Sequence, residues 1–254
     1  LEQLPHRKDE IGQLSDSLIK MTDELQKRIQ ATASFAADVA HEIKNPLSSL
    51  RSATETFGRA RTAEQKEKLL NVILQDVSRL DRLITDISQA SRVDYEIIGQ
   101  DTESVDFKEL LVNMVKIRSQ TYRQQKLTLE VPEVPVFVKV NESRMVQVID
   151  NLLSNASSFS PKGGVISLNL QVEKKFGRIV LEILDQGPGI SNDKFEAIFD
   201  RFYTERPKGE SFGEHSGLGL SIARQIVEAH RGTLIAENRS GWGASFKLTL
   251  PLSS

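Results

Sequence analysis

The first third of the chain carries apolar residues at coiled-coil spacing, and this repeat limits what the segment can fold into. Steps of three and four separate Ile11, Leu14, Leu18, Met21 and Leu25. The spacing slips by one through Ile29 and resumes at Phe35, Val39, Ile43, Leu47 and Leu50. A second series follows at Leu70, Ile73, Val77, Leu80, Ile84 and Ile87. Such a repeat predicts two long helices, and the slip indicates a stutter in the supercoil.

A break around residues 58–62 separates the two series, so the helices are expected to form an antiparallel hairpin. The apolar stripes of one hairpin cannot both be buried alone. A second copy of the chain would complete a four-helix bundle. Periodicity alone is equally compatible with a purely structural coiled coil.

Glycine marks a change of structure near residue 99. Only Gly12 and Gly58 precede that position, whereas the other 13 glycines lie from Gly99 onward. From about residue 104, short apolar runs alternate with helical patterns, which predicts a mixed α/β domain. The expected helices are 107–124, 142–157 and 218–229, and the expected strands are 127–131, 136–140, 165–172, 178–184, 233–237 and 244–250.

Composition excludes several classes of protein. Lys and Arg total 33 against 35 Asp and Glu, and this near-balance argues against nucleic acid as a partner. The lack of cysteine excludes disulfides, thiolate metal sites and cysteine nucleophiles. No apolar run approaches the roughly 20 residues of a membrane span, and residues 1–10 lack the apolar stretch of a secretory signal. The chain as given is therefore expected to be soluble and intracellular.

His41 is the candidate for chemistry in the helical half. On a helix its side chain falls almost opposite the apolar stripe. Asn45 and Ser48 share that exposed face, and Glu42 lies at its flank. Pro46 removes a backbone hydrogen bond and kinks the helix at this point. A neutral imidazole can attack a phosphoryl group, but an exposed histidine is more often merely solvated, so this interpretation requires a phosphoryl donor elsewhere.

The second half carries three elements suited to a nucleotide, although it has no P-loop. Asn151 and Asn155 lie one helical turn apart, and their amide oxygens are hard ligands suited to Mg²⁺. Asp185 begins the segment 185–190, in which a carboxylate can accept a hydrogen bond from an adenine amino group beside two glycines. Residues 217–220 open a helix with the sequence Gly-Leu-Gly-Leu, and free N–H groups there favour phosphate. Taken one at a time, the three elements could be only a polar pair on a helix, a tight turn and a helix start. Their occurrence in this order indicates a nucleotide site.

Together the motifs resemble those of the sensor histidine kinases of two-component signalling, over nearly the whole chain. Residues 35–47 resemble the H-box, 151–155 the N-box, 185–190 the G1 box, 199–203 the F-box and 216–220 the G2 box. Residues 9–14 resemble the end of a HAMP linker, which in the family follows a transmembrane helix. Residues 34–54 and 209–232 look closest to the alphaproteobacterial ChvG-type kinases.

The resemblance implies an α plus α/β fold in three parts. Residues 1–30 would end the HAMP linker and the signalling coiled coil. Residues 31–98 would form a phosphotransfer hairpin that dimerises as a four-helix bundle. Residues 104–254 would form an ATP-binding α/β sandwich of the Bergerat type.

The same resemblance implies the role of each site residue. His41 would be the phospho-acceptor and Glu42 its acid/base partner, while Asn45 would assist dephosphorylation of the partner. Asn155 would hold Mg²⁺ with help from Asn151. The ATP-binding residues would be Asn151, Asn155, Asp185, Gly187, Gly189, Ile190, Gly217, Leu218, Gly219 and Leu220.

Partners and location follow from the family as well. The resemblance implies a homodimer that passes its phosphoryl group to an aspartate of a response regulator, and Glu42 and Asn45 imply phosphatase activity toward that regulator. No nucleic acid is expected. The full-length protein would lie at the cytoplasmic side of the bacterial inner membrane, anchored only through an upstream segment.

Two positions depart from the family pattern. Many relatives carry basic residues where this chain has Ser158 and Thr204, and Arg206 or Lys208 could replace them at the ATP phosphates. Two alternatives stay open at this point. One is another Bergerat-type ATPase or a serine kinase of the anti-sigma type, and the other is a non-catalytic dimeric scaffold with a degenerate nucleotide site.

Overall fold

Two long helices form the N-terminal half of the computed structural model, which describes residues 10–96, 102–122, 124–204, 216–239 and 243–253. Helix α1 spans Glu10–Phe57 and helix α2 spans Ala63–Glu96, and the two pack against each other as a hairpin. This confirms the predicted helices and the break between them. Part of the HAMP-like segment, together with Arg206 and Lys208, lies outside the described residues.

A capping box begins α2. The Oγ1 atom of Thr62 accepts a hydrogen bond from the Gln65 backbone N–H at 3.2 Å. The Gln65 side chain in turn accepts from the backbone N–H groups of Thr62 and Arg61. This reciprocal pairing satisfies donors that a helix start otherwise leaves free, so the local sequence fixes where the chain reverses.

The hairpin leaves much of its apolar surface exposed. Leu83 and Ala53 are buried between the helices. Large apolar side chains that remain exposed include Leu14, Leu18, Met21, Leu25, Ile29, Leu70, Leu74, Val77 and Ile84. A stripe of this extent on a long helix is typical of a surface that packs against other helices.

The C-terminal half is a layer of helices on one five-stranded sheet. Its helices are α3 (Phe107–Thr121), α4 (Glu142–Phe159) and α5 (Gly219–Ala229). Its strands are β1 (Glu103–Asp106), β2 (Lys126–Glu130), β3 (Phe137–Val140), β4 (Val165–Glu173), β5 (Arg178–Leu184), β6 (Thr233–Asn238) and β7 (Ala244–Pro251). The large sheet has the order β2-β4-β5-β7-β6, with β2 parallel to β4 and the other pairs antiparallel.

Alternation along the strands explains this layering. Ile166, Leu168 and Leu170 of β4 are buried, and so are Ile179 and Leu181 of β5, while the residues between them are only partly covered. Since side chains alternate across a strand, one face of the sheet is apolar and packs under the helices. The apolar core lies between the sheet and α4 and α5.

The predicted helices and strands agree with the structure to within a few residues, with one omission. Strand β1 was not predicted; it pairs with β3 in a separate two-stranded sheet. Helix α3 ends at Thr121 rather than at residue 124, because Tyr122 leaves the helical conformation. None of the described helices is long and apolar enough to cross a membrane.

Candidate active site

A cavity of about 290 Å³ opens where α4, α5, β5 and β7 meet. It brings together eight of the ten residues predicted to bind a nucleotide: Asn151, Asn155, Asp185, Gly189, Ile190, Gly217, Gly219 and Leu220. Gly187 and Leu218 are buried beside the cavity rather than on its wall. Three motifs far apart in sequence therefore form one site.

Asp185 is anchored at the end of β5 by two backbone groups. Its Oδ1 atom accepts hydrogen bonds from the N–H of Gly187 at 2.8 Å and of Ala244 at 2.9 Å. The side chain is 2% exposed, and this burial raises the pKa of Asp185, against the opposing effects of the two N–H donors and of Arg239. Its Oδ2 atom has no hydrogen-bond partner within the described residues, so it is available to a ligand in the cavity.

Asn238 fixes the glycine turn that follows Asp185, a role the sequence did not reveal. Its Oδ1 accepts from the Ile190 N–H and its Nδ2 donates to the Ile190 carbonyl, both at 2.7 Å. Gly189 has φ +81°, and a Cβ there would lie 2.8 Å from Asn238 Oδ1. The turn therefore requires glycine, and it presents backbone rather than side chains to the cavity.

Helix α5 begins at the cavity without a side-chain cap. Asp106 and Asn141 cap α3 and α4, whereas the residue before α5, Leu218, makes no capping hydrogen bond. The Asn151 Nδ2 atom donates to the Gly219 carbonyl at 2.9 Å and so ties α4 to the start of α5. Free N–H groups at this positive helix end form a cradle suited to phosphate.

Residues 202–203 are locked against this cradle. Phe202 has φ +63°, which is uncommon for a residue with a side chain, and its N–H donates to the Gly217 carbonyl at 2.9 Å. Gly217 itself has φ +75°, and a Cβ there would lie 2.6 Å from the Phe202 backbone. Beside it, the Tyr203 hydroxyl is buried at the cavity without a partner among the described residues. A buried hydroxyl of this kind is suited to a polar ligand group.

His41 lies on α1, exposed as predicted, and is not part of the cavity wall. Pro46 is buried in the hairpin, and Asn45 is exposed on the same face as His41. The Glu42 carboxylate accepts a hydrogen bond from Arg79 of α2 at 3.0 Å, with both side chains largely covered. Glu42 is thus tethered across the hairpin, a contact that the sequence did not predict.

The other histidine described by the structure, His230, is a core residue. It is 5% exposed, its Nε2 accepts from the Asn141 N–H at 3.1 Å, and its Nδ1 lies 2.7 Å from the Ile226 carbonyl. Both ring nitrogens are occupied by backbone partners. His230 is therefore structural, and His41 is the one of the two whose ring can meet a substrate.

The hairpin is docked on the α/β domain beside the cavity. Phe35 of α1 stacks on Phe202 with ring centroids 6.3 Å apart, and the Arg201 guanidinium lies 4.8 Å from the Phe35 ring centroid. Helix α2 packs against α5, and Arg82 and Asp86 of α2 reach the cavity wall. Sequence reasoning missed all of these contacts.

Comparison with known proteins assigns both halves. Residues 31–96 match the His Kinase A (phospho-acceptor) domain, and residues 140–254 match the histidine kinase-, DNA gyrase B- and HSP90-like ATPase family. The chain belongs to the sensor histidine kinases. The ATPase-type half of this kinase chain forms most of the cavity, and the phospho-acceptor half carries His41 and contributes Arg82 and Asp86 to the cavity lining.

Curated relatives match this kinase chain almost from end to end. It is 48% identical to the sensor protein ChvG of Rhizobium meliloti (strain 1021) over 98% of its own length, and 45% identical to that of Agrobacterium fabrum. The alignments cover 46% and 44% of those relatives, so the chain spans less than half of their length.

Solved structures share the fold. The complex of histidine kinase ThkA with response regulator protein TrrA matches with a TM-score of 0.70 at 24% identity, over 93% of this chain and 67% of that one. A mycobacterial sensor histidine kinase, MprB, matches at 29% identity with a TM-score of 0.52, over 59% of this chain and 97% of that one. The hairpin and the α/β ATPase domain are thus the architecture of known histidine kinases.

Proposed function

We propose that this chain uses ATP to phosphorylate His41 and then passes the phosphoryl group to an aspartate of a response regulator. The observation that carries the proposal is the pairing, on one chain, of an exposed histidine with a cavity whose anchored Asp185 faces an uncapped helix start. The adenine amino group would donate to Asp185 Oδ2, and the phosphates would lie at the N–H groups of α5.

Phosphoryl transfer requires the protein mainly to position the reactants and to neutralise the charge on the phosphates. A neutral His41 nitrogen attacks the γ-phosphorus, so an N–P bond forms as the bond from phosphorus to the ADP oxygen breaks. The ring proton is then taken by Glu42 as base. Arg79 holds one oxygen of the Glu42 carboxylate, Oε2, and so orients the group from across the hairpin.

The donor set at the cavity fits Mg²⁺ only together with phosphates. Asn151 and Asn155 contribute amide oxygens, and within the described residues no group of three or more His, Asp or Glu side chains is placed to hold a metal ion. Mg²⁺ keeps several waters and is usually completed by substrate phosphates, so it would arrive with ATP. The ion would neutralise phosphate charge, while Asn155 orients it.

Replacing Asn155 by Ala should therefore weaken ATP binding in the presence of Mg²⁺ and leave binding without Mg²⁺ nearly unchanged. Calorimetric titrations with Mg²⁺ and with a chelator measure both values. Ser143→Ala, at an exposed position of the same helix outside the cavity lining, is the control. An equal loss of ATP affinity with Mg²⁺ and with the chelator would mean that Asn155 supports the fold of the site and does not bind the ion.

The docked arrangement separates donor and acceptor. His41 is outside the cavity, six residues along α1 from Phe35, which is about 9 Å along the axis. Transfer within one chain would require the catalytic domain to leave its contact at Phe35 before the γ-phosphate reaches His41. For that route the docked form is a resting arrangement.

Phe35→Ala should therefore raise the rate of autophosphorylation at saturating ATP. The lost aromatic contact is worth about 0.5–1.5 kcal/mol, which corresponds to a rise of roughly 2- to 10-fold if undocking limits the rate. Quench-flow measurement of phosphoryl incorporation tests this. A slower Phe35→Ala variant would show that the contact belongs to the reactive arrangement.

We also propose that the chain dephosphorylates its response regulator. Asn45 is exposed on the face of α1 that carries His41, where its amide could position an attacking water. Asn45→Ala should slow regulator dephosphorylation and leave autophosphorylation of His41 in place. A time course of phosphorylated regulator with each variant measures the first, and incorporation from ATP measures the second. Loss of both activities together would argue for a structural role.

The proposed partners follow from exposed surface and from relatives. The exposed apolar side chains of the hairpin, Leu14 and Ile84 among them, would be covered by a second copy of the chain, giving the dimeric four-helix bundle. A receiver domain would dock on the hairpin, since the structurally similar kinase ThkA forms a complex with the response regulator protein TrrA. In the full-length protein this part would face the cytoplasm beneath a membrane anchor.

The chemical stability of the product tests the proposed activity. After incubation with Mg²⁺ and γ-labelled ATP, label on the chain should survive alkali and disappear in acid, as a phosphohistidine does. Label that survives acid and is lost in alkali would indicate a serine kinase. ATP binding without any label would indicate the non-catalytic scaffold.

A further inference from the structure

We propose that Arg82 of helix α2 binds the phosphates of ATP while the hairpin is docked on the catalytic domain. The inference rests on the ATP site proposed above and adds a residue from the other half of the chain. Arg82 belongs to the phosphotransfer hairpin, yet its side chain lines the nucleotide cavity.

Charge in the cavity supports this role. Among the described residues that line it, Arg82 is the one Lys, Arg or His, whereas Asp86 and Asp185 are both acidic. Mg-ATP retains net negative charge, so a guanidinium on the cavity lining attracts it. Arg82 therefore adds a side-chain cation to the backbone N–H groups of the proposed phosphate cradle.

The location of Arg82 and the geometry of its guanidinium also favour a role in phosphate binding. Helix α2 packs against α5, whose uncapped start forms the proposed phosphate cradle, and Gly217 and Gly219 line the same cavity as Arg82. The Arg82 side chain is exposed, so it can reach a ligand without first leaving the core. A guanidinium offers a planar fork of donors that matches two phosphate oxygens at once.

One consequence links binding to conformation. Because Arg82 reaches the cavity only through the docked hairpin, ATP that contacts it favours the docked arrangement by mass action. In that arrangement His41 is away from the cavity wall. The contact therefore holds ATP in the resting form, and its loss weakens ATP binding without lowering the rate at saturating ATP.

Calorimetry on the whole chain with Mg²⁺ and adenosine, ADP or ATP tests the proposal. Arg82→Gln should raise the Kd for ATP about 10-fold, since a hydrogen bond to a charged group is being removed, and ADP should lose less. The Kd for adenosine should not change. Arg82→Lys should recover part of the loss, and Arg51→Gln, the same charge change elsewhere on the hairpin, should behave like the parent.

Two results would overturn the role of Arg82. One is an unchanged Kd for ATP in Arg82→Gln, and the other is an equal loss for adenosine, which would indicate a structural effect. Failure of the parent to bind ATP, or normal binding by Asp185→Asn, would instead remove the proposed ATP site itself. The two failures are thus distinguishable.

A second variant tests the dependence on docking. In a Phe35→Ala background, where the docked form is weakened, Arg82→Gln should cost much less ATP affinity than in the parent. Such non-additivity is expected when two residues act through one arrangement. A full loss of about 10-fold in both backgrounds would mean that Arg82 acts without docking and would overturn this part.

Discussion

His41→Gln should reduce phosphoryl incorporation from ATP to background and leave the fold and ATP binding intact. His41 is exposed on α1, and an exposed substitution of this kind changes stability by no more than about 0.5 kcal/mol. Glutamine keeps a polar side chain but has no nitrogen that can attack phosphorus. Incorporation of label from γ-labelled ATP and thermal unfolding are measured on the same preparation.

His6→Gln is the matched control, since it removes another histidine of the chain at a position far in sequence from His41 and Pro46. It should incorporate label like the parent. Label that persists in His41→Gln would place the acceptor on another residue and would favour the serine-kinase alternative.

Asp185→Asn should raise the Kd for ATP roughly 10- to 100-fold, since the pair it breaks is a hydrogen bond to a charged group worth about 1.5–3 kcal/mol. The substituted side chain can still accept through Oδ1 from the N–H groups of Gly187 and Ala244. Its second atom becomes an N–H donor that faces the adenine amino group, which is also a donor. Recognition is therefore lost while the anchoring contacts stay.

The thermal stability of the Asp185→Asn variant distinguishes lost adenine recognition from unfolding. Burial raises the pKa of Asp185, so its contribution to stability is fully present below the unfolded-state pKa and is lost as the pH rises through the folded-state pKa. At neutral pH the buried charge is a cost, and Asp185→Asn should unfold at the same temperature as the parent or higher. The difference in unfolding temperature between the variant and the parent should shrink as the pH falls.

Asp193→Asn supplies the control for Asp185→Asn. Asp193 is exposed on the loop after the glycine turn, and its replacement makes the same change of charge. It should bind ATP and unfold like the parent. A strongly destabilised Asp185→Asn variant would mean that the carboxylate supports the fold rather than reading adenine.

Local pattern predicted most of the fold. Alternation of buried residues in β4 and β5 and the heptad spacing of α1 and α2 each depend on neighbours a few residues apart, so they are readable from the chain. Strand β1 was not predicted because its four residues include two acids and are too few to show an alternation of apolar and polar side chains. Its pairing with β3 depends on a partner more than 30 residues away.

Residues of the cavity could be predicted where a short motif marks them. Asp185, Gly189 and the helix start at Gly219, which we propose bind the nucleotide, stand in such segments, and the structure gathers them at one cavity. Asn238 and Arg79 act through contacts to Ile190 and Glu42, residues far from them in sequence, and no local pattern marks them. Contacts between the two halves were also out of reach, because nothing in the repeat distinguishes Phe35 or Arg82 from its helical neighbours.

The central claim is that the nucleotide held at Asp185 delivers its phosphoryl group to His41. The most direct test maps the phosphorylated peptide at alkaline pH while ATP is varied, in the parent and in Asp185→Asn. The account predicts that His41 is the site in both and that half-maximal phosphorylation in the variant needs more ATP, by the same factor as its Kd. Phosphorylation of the variant at unchanged ATP, or a phosphoryl group on any other residue, would contradict it.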